Sequence, residues 1–247
     1  MDRSLHLWRR AATEGLAAFA LVFAGCGAIV ADAEYEDALG AVGVSLVFGL
    51  IIMVMIYATG HISGAHINPA VTIAFTLARH FPPRDAVAYV VAQLSGASAG
   101  ALLLLAVWPE QPAELGATVP TVAAGSAFVY ELVLTAFLMF VIVAMATDTR
   151  AVGAAAAIAI GGTVALDALF GGPVTGASMN PARSFGPALA AGEWSQFWVY
   201  LAGPIAGAAL GALAYQLLRG ETITTADPSP STEGTPPPDP QPALTAR

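Results

Sequence analysis

Six apolar runs, at about 13–33, 40–60, 85–107, 125–147, 151–170 and 195–218, set the tightest limit on this chain, because a helix of about 20 residues crosses a ~30 Å hydrocarbon core. Every backbone N–H and C=O in that solvent must bond inside the protein, which favours helices for segments of this length. The chain therefore reads as an all-α membrane protein with six spans. Composition agrees, at 57% hydrophobic and 11% charged residues, the latter about half the share of a soluble domain. The first run is long, close to the second and poor in cleavage signals, so it is expected to remain in the mature protein rather than act as a removable leader.

Charge sets the expected orientation. All basic residues are arginine: Arg3, Arg9 and Arg10 precede the first span, Arg79 and Arg84 flank the second link, Arg150 lies between spans four and five, and Arg219 follows the sixth. An even number of spans puts these on one side, which the positive-inside rule assigns to the cytoplasm along with both termini. The opposite loops carry Asp32, Glu34, Glu36, Asp37, Glu110, Glu114 and Glu193, and only Arg183 breaks the pattern. The net charge of −8 offers no footprint for nucleic acid. Cys26 stands alone in the first span, so no disulfide framework or zinc quartet is expected. Residues 1–12 read as a cytoplasmic N-terminus, 13–219 as one channel-like membrane domain, and 220–247, rich in Pro, Ser and Thr, as a disordered cytoplasmic tail.

Within the membrane domain the chain repeats itself. Glu14 precedes Asn68 by 54 residues and Glu131 precedes Asn180 by 49, while "QLSGASAGALLLL" and "LAGPIAGAALGAL" both space glycines four apart. The repeats, about 13–107 and 125–218, hold three spans each. An odd number inverts the second against the first and places a site at their interface near the midplane. "SGAHINPAVT" and "TGASMNPARS" each end an apolar stretch with Asn-Pro-Ala. Asparagine caps helix N-termini and proline suits the next position, so each motif starts a helix, from 69 to about 78 and from 181 to about 189. About 10 residues span only half the core. Two re-entrant half-helices should thus meet tip to tip and complete a seventh crossing. The irregular stretches 61–67 and 171–179 should line a wet pore, since unpaired backbone is tolerated at that depth only there or inside protein. With both Asn oxygens capping, their N–H groups should face the lumen as donors. Two positive helix ends disfavour cations and interrupt a proton-conducting water chain.

The duplicated Asn-Pro-Ala, "GPVTGASMNPARSFGPA" and the two early glutamates together resemble the aquaporin family, or major intrinsic proteins, over nearly the whole chain except the tail. "MATDTRAVG" with "GGPVTGASMNPARS" is similar to the nodulin-like branch of that family. The resemblance implies a right-handed bundle around a narrow pore, a homotetramer in the lipid bilayer of the cell membrane, and passive passage of water and small neutral solutes such as glycerol. It makes Arg183 the arginine of the aromatic/arginine filter and places Phe48, Ala168 and Ala177 at the other filter positions. Glu14 and Glu131 would accept from N–H groups of the re-entrant loops, and His66 would pack the loop and lend its carbonyl rather than bind metal. His61 reads as a packing residue before a gate. Asp167 either pairs with a loop donor near the outer vestibule or tunes Arg183 directly.

The solute signals conflict. Strict water channels usually carry histidine where Ala168 stands, so alanine implies a wider, more apolar opening; Ser184 and Ala188 resemble water channels, where glycerol facilitators usually carry Asp and Lys. Tyr200 and Leu201 match the nodulin-like branch. The first expectation is a pore for water and small uncharged solutes. The alternative is a facilitator mainly for neutral hydroxylated solutes or metalloid acids, such as glycerol, boric acid or arsenite, with little water flux. A coupled transporter would need an ionisable relay or cation site at the midplane, where two asparagines stand instead. No metal cluster, nucleophile–base pair or phosphate loop argues for an enzyme or a cofactor.

Overall fold

A computed structural model describes residues 5–147 and 155–219. Its elements are α1 (Leu7–Glu34), α2 (Gly40–Ser63), α3 (Pro69–Leu77), α4 (Pro83–Val107), α5 (Ala124–Thr147), α6 (Ala156–Thr175), α7 (Pro181–Ala191) and α8 (Val199–Arg219), with a short tight turn at Pro112–Gly116. Six of these helices are long and apolar enough to cross a membrane. The expected tail 220–247, Arg3 and the Arg150 link lie outside the described residues.

The bundle is paired twice over. α1 packs on α4 and α2, as α5 packs on α8 and α6. The half-helices cross between repeats: α7 lies against α4 and α3 against α8, with α2 on α6 closing the ring. Glycine sets the spacing at the two main seams. A Cβ on Gly96 would sit on the Gly15 carbonyl oxygen, and one on Gly207 on the carbonyl oxygen of Leu132, so close backbone approach requires the missing side chain.

Several helix boundaries differ from the sequence reading, most of them with a local cause. α1 starts six residues early, because Arg10 extends to Asp85 on α4 (2.8 Å) and Arg9 lies over the Trp8 ring (5.3 Å), which gives charged residues of the first turns their partners. α6 ends five residues later than expected, and 151–154 lie outside the described residues. α2 and α6 continue to Ser63 and Thr175 before Gly64 (φ 92°) and Gly176 (φ 84°) end them in the left-handed region. The irregular stretches are therefore 64–67 and 176–179, shorter than expected. α7 runs two residues past its expected end, to a left-handed Gly192.

Gly96→Ala should lower unfolding stability in detergent by about 1–3 kcal/mol, the range for overpacking a filled contact. Gly125→Ala, where a Cβ meets nothing within 4 Å, should leave the thermal midpoint equal or slightly higher.

Candidate functional site: a pore wall held by two buried glutamates

The site is built from two buried acids outward. Glu14, fully buried on α1, accepts at Oε1 from the Ser63 hydroxyl (2.6 Å) and His66 N–H (3.0 Å). Its Oε2 accepts from Ile67 N–H (2.6 Å) and the Gln93 amide (2.8 Å). Glu131 on α5 repeats the scheme: Oε1 takes the Thr175 hydroxyl (2.7 Å) and Ser178 N–H (2.9 Å), and Oε2 takes Met179 N–H (2.8 Å). Such charge-assisted bonds are about twice as strong as neutral ones. They hold a backbone that would otherwise relax, because Ala65, Ile67, Ala177 and Met179 all have positive φ, between 42° and 55°, which is uncommon for residues with a Cβ. Tyrosines fasten the same corners from outside: Tyr89 donates to Ser63 O (2.7 Å) and Tyr200 to Thr175 O (2.6 Å).

These loops deliver the two asparagines. Asn68 Oδ1 accepts from Ala70 N–H (2.8 Å), and Asn180 Oδ1 from Ala182 (3.0 Å) and, more weakly, Arg183 (3.4 Å). Each side-chain amide then donates across the repeat boundary: Asn68 Nδ2 to Met179 O at 2.7 Å and Asn180 Nδ2 to Ile67 O at 2.9 Å. These cross-repeat bonds add to the expectation of two asparagine donors toward the lumen. The left-handed turns at Ile67 and Met179 bring those carbonyls to the opposite amide, so each NH₂ keeps one further hydrogen for the pore.

A cavity of about 680 Å³ runs past both asparagines; Phe48, Ala168, Ala177 and Arg183 line it, as do His66, Phe75, His80 and Phe81. Arg183 is 2% exposed. Its Nη1 donates to Gly116 O (2.8 Å), its guanidinium carbon lies 5.0 Å from the Phe48 ring centre, and its Nε has no partner. Gly25 makes room for this arrangement, since a Cβ there would collide with the Phe48 ring.

The remaining residues singled out in the sequence fall into place differently. His66 Nδ1 pairs with the Thr72 hydroxyl (3.1 Å), and its ring packs among Phe75, Phe81 and Tyr89 at 4.7–5.3 Å. His61 is exposed on the last turn of α2 and does not line the cavity. Asp167 corrects the pairing reading: it is fully buried, and neither oxygen bonds to a loop donor. Sequence reasoning missed Ser63 and Thr175, although each stands five residues before an Asn of the motif. It also missed Gln93, and the Gly116 carbonyl, which belongs to a loop without periodicity and carries no signal.

Fold and site together define a transmembrane pore whose narrow wall is built by two inverted halves. The sequence profile described as Major intrinsic protein matches residues 1–215, and the chain belongs to that family, the aquaporins, in its nodulin-like branch. Aquaporin NIP1-4 of Oryza sativa subsp. japonica is 48% identical over 219 residues, 89% of this chain and 80% of the relative. Nodulin-26 of Glycine max is 46% identical over 218 residues, 87% of this chain and 80% of its own length. Among solved structures, the aquaglyceroporin from Plasmodium falciparum superposes with a TM-score of 0.74 at 25% identity, covering 85% of this chain and 96% of that one. The protein is thus an integral membrane channel for water and small neutral solutes, not an enzyme.

Glu131→Gln would turn an amide NH₂ toward N–H donors that now meet a carboxylate. We expect a stability loss of about 2 kcal/mol, the scale for a hydrogen bond to a charged group, read from denaturant unfolding, together with lower flux per folded channel.

Proposed function

We propose that the pore carries small neutral hydroxylated solutes, glycerol and metalloid acids such as boric acid or arsenite, in preference to water. The observation that carries this reading is Ala168. Where a donor with a large ring would narrow the filter, a methyl group lines the cavity beside Phe48 and Ala177. That wall suits the carbon face of a polyol, while Arg183, which lines the same cavity, supplies N–H donors for its hydroxyls. Ser184 and Ala188, the water-channel-like residues, do not line the cavity; Ser184 is engaged with Thr118 (2.8 Å) and Ser178 (2.6 Å). The fold shared with a protein described as an aquaglyceroporin supports the same cargo.

The other roles follow in the same reading. Asn68, Pro69, Ala70, Asn180, Pro181 and Ala182 form the midplane barrier, where two helix N-termini and Arg183 oppose cations. Glu14, Glu131 and His66 support the loops. Both termini are cytoplasmic by the arginine distribution, the membrane is the cell membrane, four protomers assemble, and 13–219 is the channel domain with its two repeats.

Vesicles containing the protein, examined by light scattering under opposing sucrose and glycerol gradients, test this. Glycerol entry should be fast and independent of proton or sodium gradients, with water flux modest; fast water flux without glycerol entry would contradict the reading. Ala168→His should lower glycerol flux on the order of tenfold, the scale of a small change in pocket fit, while sparing water. Arg183→Val should increase leakage of larger or charged species, measured by dye and ion release.

A further inference from the structure

Among the described residues three acids are fully buried: Glu14, Glu131 and Asp167. The first two hold loops, whereas both oxygens of Asp167 are without a hydrogen-bond partner. Asp167 sits one residue before cavity-lining Ala168, on the face of α6 that buries Val164 and Gly171.

Its surroundings favour no charge. α2 and α5 are the helices packed along α6. α2 has no ionisable side chain between residues 40 and 55, and its Tyr57 and His61 stand toward its far end. α5 presents Glu131, buried and bonded to Thr175 at the end of α6, and Tyr130, whose ring meets Phe170 at 6.2 Å. One layer further, Arg183 is held by Gly116 O and Tyr200 is bonded to Thr175. Among the described residues no third His, Cys, Asp or Glu completes a metal site. An ionised Asp167 would thus lack donors and add a second buried charge along the α5–α6 seam that already holds Glu131, and both penalise it heavily.

The Glu131 anchor is also the thinner of the two. Glu14 accepts four bonds, one of them from Gln93; Glu131 accepts three. Aligned through Gly96 and Gly207, the position matching Gln93 in α8 is Pro204, which offers no side-chain donor.

We propose that Asp167 stands in the channel wall as the neutral carboxylic acid and is a positioning residue for the second re-entrant loop. Its proton keeps a second negative charge away from Glu131. Losing that proton weakens the grip on Thr175, Ser178 and Met179 and lowers flux.

The test uses the full chain in vesicles, with infrared difference spectra between wild type and Asp167→Asn, and water and glycerol flux recorded across pH. The wild type should show the C=O stretch of an unionised carboxyl group at neutral pH, missing from the variant. As pH rises, that band should vanish and wild-type flux should fall about tenfold, the effect of one hydrogen bond to a charged group, while the uncharged variant stays within about twofold of neutral wild type. No such band at neutral pH overturns the proposal. So does a pH profile shared by both proteins, or flux that stays constant to the alkaline limit whether the band is lost or persists. Should Asp167→Asn fail to fold, Asp167→Ser serves in the same comparison. The band does not depend on cargo, so its absence and a failure of glycerol transport are separate results.

Discussion

The structure depends on one constraint: backbone that leaves a helix inside a membrane must find partners within the protein, because an unpaired N–H or C=O costs several kcal/mol in hydrocarbon. Two short stretches, 64–67 and 176–179, leave the helices at that depth. Their N–H groups meet Glu14 and Glu131. Buried carboxylates are themselves expensive, so each acid and each loop is tolerable only in the presence of the other. This mutual need makes the left-handed turns at Ile67 and Met179 persist, and those turns present the carbonyls that the opposing asparagines bind.

Function grows out of the same geometry. A capped half-helix points its N-terminus at the centre from each side, and the cross-repeat amide bonds hold the tips together. Solutes meeting that point find donors and positive helix ends, which suits a neutral oxygen acceptor and opposes a cation. In the cavity wall, Arg183 is fixed by the Gly116 carbonyl and lies against Phe48, itself seated over Gly25. In the proposed function, discrimination among neutral solutes falls to the wall that Ala168 and Ala177 share with the arginine.

Much of this was legible in the residues. Helix count follows from apolar length, and the half-helices follow from Asn-Pro-Ala, because capping and proline preference are local chemistry. Arg183 stood out as the one base on the wrong side. What stayed hidden depends on contacts between distant segments: the loss of one asparagine N–H to a carbonyl more than a hundred residues away, the Gly116 anchor, the Gln93 amide beneath Glu14. Composition also misled at helix ends, where Arg10 is carried into α1 by a partner on α4. Asp167 was visible as an anomaly, but a single acid beside an alanine says nothing about which side of its helix is buried.

The most direct measurement is an experimental density map of the protein in a lipid nanodisc, sharp enough to resolve side-chain amides and pore waters. The account predicts the Asn68 and Asn180 amides within hydrogen-bond reach of the Met179 and Ile67 carbonyls, with their free N–H groups on a continuous file of water. Amides separated from those carbonyls, or turned toward lipid, would contradict it.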